Sequence, residues 1–169
     1  MPAFKLEIVK ENKPVICSGQ ELYKYLPHRP PVLLVDRYYG RDQRASYTGY
    51  IPVTGSLFCD SGLFLEEGLI EHMAQSVALA FGAEKWEITG EAVGKIVPEE
   101  DGGMIPGFVA SFRDINFYDR VQETEDLFTE VLEAFKNPFF SVIQVRSYSK
   151  DKLVAEGEMT VVKPAGLSI

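Results

Sequence analysis

Cysteine is scarce in this chain: Cys17 and Cys59 are the only two among 169 residues. Two such distant cysteines make neither a disulfide framework nor a metal-ligand spacing. Histidine is equally rare, with His28 and His72 alone. Positive charge is short as well, with 17 Lys and Arg against 25 Asp and Glu, a net charge of −8. Phosphate binding needs a basic surface, so nucleic acid is disfavoured as the main partner, and so is an anionic membrane surface. No apolar run is long enough to cross a bilayer. Residues 1–10 alternate polar and apolar types and lack the apolar stretch of a signal peptide, so a cytoplasmic location is expected. There is no internal repeat, low-complexity segment or linker. With 46% apolar and 25% charged residues, residues 1–169 suit one soluble domain with a sizeable core.

What is present is concentrated in Gly68 to Ala83. On a helical wheel, Leu69, Ala80, Met73, Val77, Ile70, Phe81 and Ala74 form a broad apolar arc. Leu79 and Ala78 extend apolarity to the remaining side. A helix apolar nearly all round belongs inside a protein. Its polar side holds Glu71, His72, Gln75 and Ser76. Glu71 and Gln75, four apart, share a face. An ionised carboxylate is costly to bury unless paired or neutralised, so a buried Glu suits acid or base work. The plainer reading places Glu71 at the wet end of the helix, Gln75 in a core hydrogen bond and His72 in a different environment.

Strands are expected on both sides of this helix. Phe4–Val9 alternates, and Lys13–Cys17 can return. Ser18 and Glu21 form a capping box that opens a short helix over Glu21–Leu26, ended by Pro27. The apolar run Val32–Val35, followed by Asp36–Tyr39, reads as a buried strand, Gly40–Gln43 as a turn and Arg44–Val53 as a second strand. Thr54–Gly62 reads as a loop before a long helix that starts near Leu65. Ile88–Gly103, polar and Gly-rich, reads as an exposed connection. Further strands are expected at Gly107–Phe117, Leu127–Phe135, Pro138–Tyr148 and Leu153–Val162, the last two joined by a turn at 149–152. The expected class is α+β: five or more antiparallel strands in a sheet curled around one long central helix. The open helix flank suits closure by a second copy.

Leu26-Pro27-His28-Arg29-Pro30-Pro31-Val32-Leu33-Leu34-Val35-Asp36-Arg37 closely resembles the opening strand of the 3-hydroxyacyl-acyl-carrier-protein dehydratases. Gly68-Leu69-Ile70-Glu71-His72-Met73-Ala74-Gln75 resembles their hot-dog helix, with its Glu-x-x-Ala-Gln motif. The segment around Leu57-Phe58-Cys59, Gly62, Phe64 and Glu66 is similar to a dehydratase-like branch of aryl-polyene and flexirubin-type pigment pathways. The resemblance implies a hot-dog fold, a homodimer or heterodimer, and a thioester substrate on acyl carrier protein or coenzyme A. It implies an acyl tunnel along the dimer interface. No metal or other cofactor is expected. It places Glu71 at the family's helix carboxylate. The family's catalytic His falls at position 57, which is Leu here, and Glu66 replaces a family glycine.

Dehydration of a 3-hydroxyacyl thioester needs a base for the C2 proton, an acid for the departing hydroxyl and donors for the enolate oxygen. Glu71 can serve as acid or base. The missing partner is His72, His28 or a His lent by another subunit. Leu57, Phe58, Cys59, Gly68, His72 and Gln75 are substrate-pocket candidates. Cys59 as nucleophile has no support beyond its thiol. Arg37, Arg41 and Arg44 on one hairpin, and Arg113 and Arg120 beside another strand, are candidates for binding an acidic carrier protein. The alternatives to a dehydratase are a non-catalytic subunit that binds acyl chains or a carrier, and a hot-dog acyl thioesterase that activates water with Glu71.

Overall fold

The computed structural model describes residues 13–89 and 108–162, and the side chains of 85–89 and 108 fall outside that description. The strand expected at Phe4–Val9 and most of the connection expected at Ile88–Gly103 lie outside the described residues.

The chain begins with β1 (Cys17–Ser18) and a 3-10 helix (Gly19–Lys24). The Ser18 backbone N–H donates to the Glu21 carboxylate at 3.4 Å, the return arm of a capping box. The helix therefore starts two residues before the expected Glu21 and stays a single tight segment. β2 (Arg37–Arg41) and β3 (Ser46–Tyr50) form a hairpin. The Asp42 carboxylate shapes its turn by accepting the N–H groups of Arg44 and Ala45 at 2.8 and 2.9 Å. The segment expected as a loop holds β4 (Cys59–Asp60), and β5 (Leu63–Phe64) follows and pairs with both β4 and β7 (Val121–Gln122) in a small three-stranded sheet. Strands of two residues carry no periodicity, so nothing in the pattern marks them.

α1 (Glu66–Thr89) is the one long helix among the described residues. β6 (Phe108–Phe117), β8 (Leu127–Lys136), β9 (Phe140–Ser149) and β10 (Lys152–Val162) follow close to the expected bounds. The main sheet has the order β1-β2-β3-β8-β9-β10-β6, with every neighbouring pair antiparallel. This is the α+β class that the sequence pattern predicts.

The sheet buries one side of α1. Leu69, Met73, Val77 and Ala80 recur at helical spacing and pack on Leu127, Val131, Ile143 and Val145. A second cluster covers the opposite flank, where Leu79 and Ala83 meet Leu22, Tyr25, Leu26, Val35 and Tyr38. Two clusters on two flanks explain a helix that is apolar nearly all round. On β8 the inward residues Leu127, Thr129 and Val131 are buried, while a register shift between Glu133 and Phe135 breaks the alternation. Phe135 is 51% exposed.

One expectation is corrected. The first half of the strand expected over Val32–Tyr39 is buried at Leu34 and Val35 but is not a strand; β2 begins only at Arg37 and runs to Arg41. Its backbone is satisfied by side chains of α1. The Leu34 N–H donates to Gln75 Oε1 at 2.7 Å, and Gln75 Nε2 donates to the Val32 carbonyl at 2.7 Å. The Leu34 carbonyl lies 2.6 Å from His72 Nδ1. Buried backbone groups need partners, and here a helix takes the place of a neighbouring strand.

Gly82 marks the tightest approach to α1. A Cβ at this position would stand 1.7 Å from the Tyr25 carbonyl oxygen, which is rigid backbone. Gly82→Ala should therefore destabilise the fold by about 1–3 kcal/mol, although Ala favours a helix by roughly 1 kcal/mol over Gly. Urea unfolding measures this, and an Ala variant as stable as the parent would refute the close packing.

Candidate functional site

The polar face of α1 is built from four residues in its first half, and the structure separates their roles. Glu71 is half-buried, and its Oε1 accepts a hydrogen bond from Gln75 Nε2 at 2.8 Å. Gln75 is 1% exposed and uses both ends of its amide: Oε1 on Leu34, Nε2 on Val32 and Glu71. The Glu71 carboxylate is thus oriented by a residue that is itself locked to the chain segment covering the helix.

His72 is fully buried. Its Nδ1 donates to the Leu34 carbonyl at 2.6 Å, and its Nε2 lies 2.8 Å from Thr129 Oγ1. With Nδ1 carrying the proton, the Thr129 hydroxyl donates to Nε2, and Ser147 Oγ, 2.8 Å away, donates to Thr129. The ring stacks on Tyr50 with centroids 5.8 Å apart. Burial pushes the His72 pKa down to about 4, against the Leu34 bond, which favours the charged form, while the Arg37 charge adds to the lowering. A neutral imidazole with both nitrogens engaged in the core is a structural group. Ser76 likewise points into the core, where it accepts from Thr48 Oγ1 at 2.7 Å. Thr48, Thr129 and Ser147 were not identifiable as partners from the sequence. Their only signal was small hydroxyl residues at inward positions of strands.

Leu57, Phe58 and Cys59 cross the start of α1. Leu57 is 46% exposed. Phe58 takes a left-handed φ of 71° and accepts the Leu65 N–H at 2.9 Å through its carbonyl. Gly68 permits this crossing: a Cβ there would meet Phe64 ring atoms at 2.5 Å and Phe58 Cβ at 2.7 Å. Cys59 Sγ is 3.4 Å from Ser56 Oγ, with which it forms a weak hydrogen bond.

His28 lies in the link that precedes the gripped segment. It is half-buried, and its Nδ1 is buried without a hydrogen-bond partner. Burial lowers its pKa, the neighbouring Glu71 charge raises it and Arg29 lowers it. Arg29 Nη1 donates to the carbonyls of Leu26 and His28 at 3.0 and 2.8 Å, and its guanidinium lies 4.0 Å from the Tyr23 ring centre.

The five arginines divide. Arg37 is clamped between Asp36 at 2.6 Å and Asp126 at 2.7 Å. Arg41 pairs with Glu84 at 3.1 Å and Arg44 with the buried Glu130 at 3.1 Å. Arg113 and Arg120 are exposed and carry no ion pair among the described residues. Arg41 and Arg44 line a cleft of about 120 Å³ with Ala80, Phe81, Val131 and Ile143. Phe81 is ten residues from Glu71, about 15 Å along the helix axis, so the cleft is not part of the Glu71 site.

Residues 20–168 match the ApeP-like family, described as ApeP dehydratase. The chain belongs to the ApeP-like dehydratase family. Among solved structures it is similar to the dehydratase heterocomplex ApeI:P from Xenorhabdus doucetiae, at 14% identity and TM-score 0.64, covering 86% of this chain and 91% of that one. It is similar to a hypothetical thioesterase protein with coenzyme A from Streptococcus pneumoniae TIGR4, at 15% identity and TM-score 0.55, covering 76% and 87%. It is also similar to the E. coli PaaI protein of the phenylacetic acid degradation operon, at 11% identity and TM-score 0.55, covering 75% and 81%. The shared architecture is the hot-dog fold. No curated relative matches the chain. Among the described residues no helix is long and apolar enough to cross a membrane. Dehydratases and thioesterases share this fold, so the fold alone does not choose between them.

Buried, neutral His72 ties stability to pH. From its ordinary value of 6.5 down to about 4, the unfolded chain binds a proton that the folded chain refuses. Stability should therefore fall as pH drops through that window, by up to about 3 kcal/mol. Urea midpoints at pH 7.5 and 5 measure the slope, and His72→Gln should flatten it. An unchanged slope in the variant would assign the pH dependence elsewhere.

Proposed function

We propose that this chain is a dehydratase of 3-hydroxyacyl thioesters in which Glu71 exchanges a proton with the substrate. The observation that carries the reading is the setting of Glu71. It stands half-buried on the polar face of a largely apolar helix, aimed by Gln75, at the position that resembles the family carboxylate. A thioester acidifies the C2 proton, but the C3 hydroxyl leaves only when protonated, so the reaction needs a held proton donor and acceptor. A carboxylate fixed by a locked amide meets that need without a metal or cofactor. The substrate is carried on acyl carrier protein or coenzyme A, in fatty-acid or polyene assembly. The reading takes residues 1–169 as one hot-dog domain in the cytoplasm, paired with a second copy or with a different, His-bearing hot-dog subunit. The ApeI:P heterocomplex supports pairing of unlike subunits, and Leu57 in place of the family His supports a shared or non-catalytic role.

Hydrolysis of an acyl thioester is the second reading, favoured by the coenzyme A complex of the thioesterase relative. There Glu71 would activate water instead of serving C2 or C3.

An acidic carrier protein would dock through Arg41, Arg44, Arg113 and Arg120, whereas Arg37 is committed to Asp36 and Asp126. Reversal of those four charges should weaken carrier binding several-fold at low salt. Unchanged affinity in a titration would remove them from the docking surface.

The central test compares hydration of a crotonyl thioester with hydrolysis of a saturated acyl thioester, by the parent and by Glu71→Gln. Hydration should exceed hydrolysis, and the variant should lose about 100-fold or more of it. The near-isosteric Gln should keep the fold, as thermal unfolding would register. Full hydratase activity in Glu71→Gln would sink the assignment, and hydrolysis without hydration would select the thioesterase.

A further inference from the structure

The turn of the β2–β3 hairpin, the second half of α1 and the strands β8 and β9 frame a cleft of about 120 Å³ that the Glu71 site does not use. Two features of the chain keep it open. The apolar stripe of α1 reaches Ala80, a small side chain, where Val77 and Met73 fill the core one and two turns earlier. On β8 the register shift between Glu133 and Phe135 bends the strand and leaves Phe135 exposed rather than packed on the helix. Ala80, Phe81, Val131 and Ile143 give the cleft an apolar floor. An apolar cavity of about 150 Å³ takes a benzene molecule, so this space suits a body of about one six-membered ring.

The rim decides what charge fits. Arg41, Gln43, Arg44, Glu84 and Glu133 surround the opening. Both carboxylates are already served from within the chain. Ser141 Oγ donates to Glu133 Oε1 at 2.6 Å, and Glu84 Oε1 meets Arg41 at 3.1 Å and Lys136 at 3.7 Å. The Glu133 and Glu84 side chains are 19% and 22% exposed, against 38% for Arg41 and 47% for Arg44. Arg41 makes that single ion contact among the described residues, and a guanidinium carries five N–H donors in a planar fork. Arg44 Nη2 is anchored 3.1 Å from Glu130, which is 1% exposed, so its charge is held beside the opening. Lys136 keeps Glu84 paired when Arg41 turns toward an incoming anion. A cationic ligand would instead have to compete with Arg41, Lys136 and Ser141 for carboxylates they already hold.

We propose that this cleft is a second binding site, for a small monocarboxylate with an apolar body of about one ring. The body lies over Phe81 on the apolar floor. The carboxylate takes the fork of Arg41 and the amide N–H of Gln43, with the Arg44 charge beside it. The site stands about 15 Å along α1 from Glu71, so it goes beyond the dehydratase reading and does not depend on it.

The test titrates benzoate, cyclohexanecarboxylate and neutral benzamide into the full chain, followed by calorimetry and NMR shifts. Both acids should bind saturably with a Kd of about 1 mM or tighter at low salt, and benzamide about tenfold more weakly or less. Arg41→Gln should weaken benzoate binding about tenfold. Glu84→Gln should tighten it several-fold, because it releases the Arg41 fork; a pair that only held the fold would give no such gain. Phe81→Ala should weaken it about tenfold, with thermal unfolding showing each variant folded. That variant leaves every surface charge in place, which separates the cleft from carrier docking through the same arginines. Glu71→Gln should leave the affinity unchanged. No saturable binding below about 10 mM, or equal affinity for benzamide, would overturn the proposal. Benzoate binding that is lost in Glu71→Gln, or that is indifferent to Arg41→Gln and Phe81→Ala, would overturn it as well, since the ligand would then sit elsewhere.

Discussion

Burying a helix on two flanks puts its polar side chains out of reach of water, and each must then find a partner inside the protein. In this chain several of those partners are backbone groups. Gln75 takes the Leu34 N–H and the Val32 carbonyl, and His72 takes the Leu34 carbonyl. The apolar run from Val32 to Val35 gains its place in the core through these bonds rather than through a neighbouring strand. The lead-in to β2, the covering 3-10 helix and the second hydrophobic cluster all depend on that grip.

The same bonds determine how charge is arranged. The amide of Gln75 is immobilised at both ends, so the Glu71 carboxylate that it contacts has a fixed direction. His72, one position on, is turned some 100° into the Thr129 and Ser147 hydroxyls and is kept neutral by burial. Two adjacent ionisable residues thus occupy opposite conditions, one at the rim and one sealed. Gly68 and Gly82 allow this by letting Phe58 and the Tyr25 carbonyl press directly on the helix backbone. Larger residues there would lift the covering segments and wet the polar face.

Membership of the ApeP-like dehydratase family and the hot-dog fold bring an expectation of thioester chemistry that position 57 does not support in the usual way. Leu57 is a half-exposed apolar residue with no proton to give.

The sequence by itself determined the class, the long helix and the order of the later strands. Helical and strand periodicities are local, and here they run over ten residues or more in α1, β6, β8, β9 and β10. It also singled out Glu71 and Gln75 as neighbours, because a four-residue separation on a helix is a local distance. Tertiary structure decided the rest. Val32–Val35 has the composition of a buried strand, yet its hydrogen-bond partners lie about forty residues away on α1, and no local pattern records that. The short strands at Cys59 and Leu63 pair with each other, and β7 closes on Leu63–Phe64 from far along the chain. The different fates of the two histidines were likewise invisible. Each is a single ring in the sequence, and only the fold gives one of them two bonds and leaves the other with a buried nitrogen unpaired.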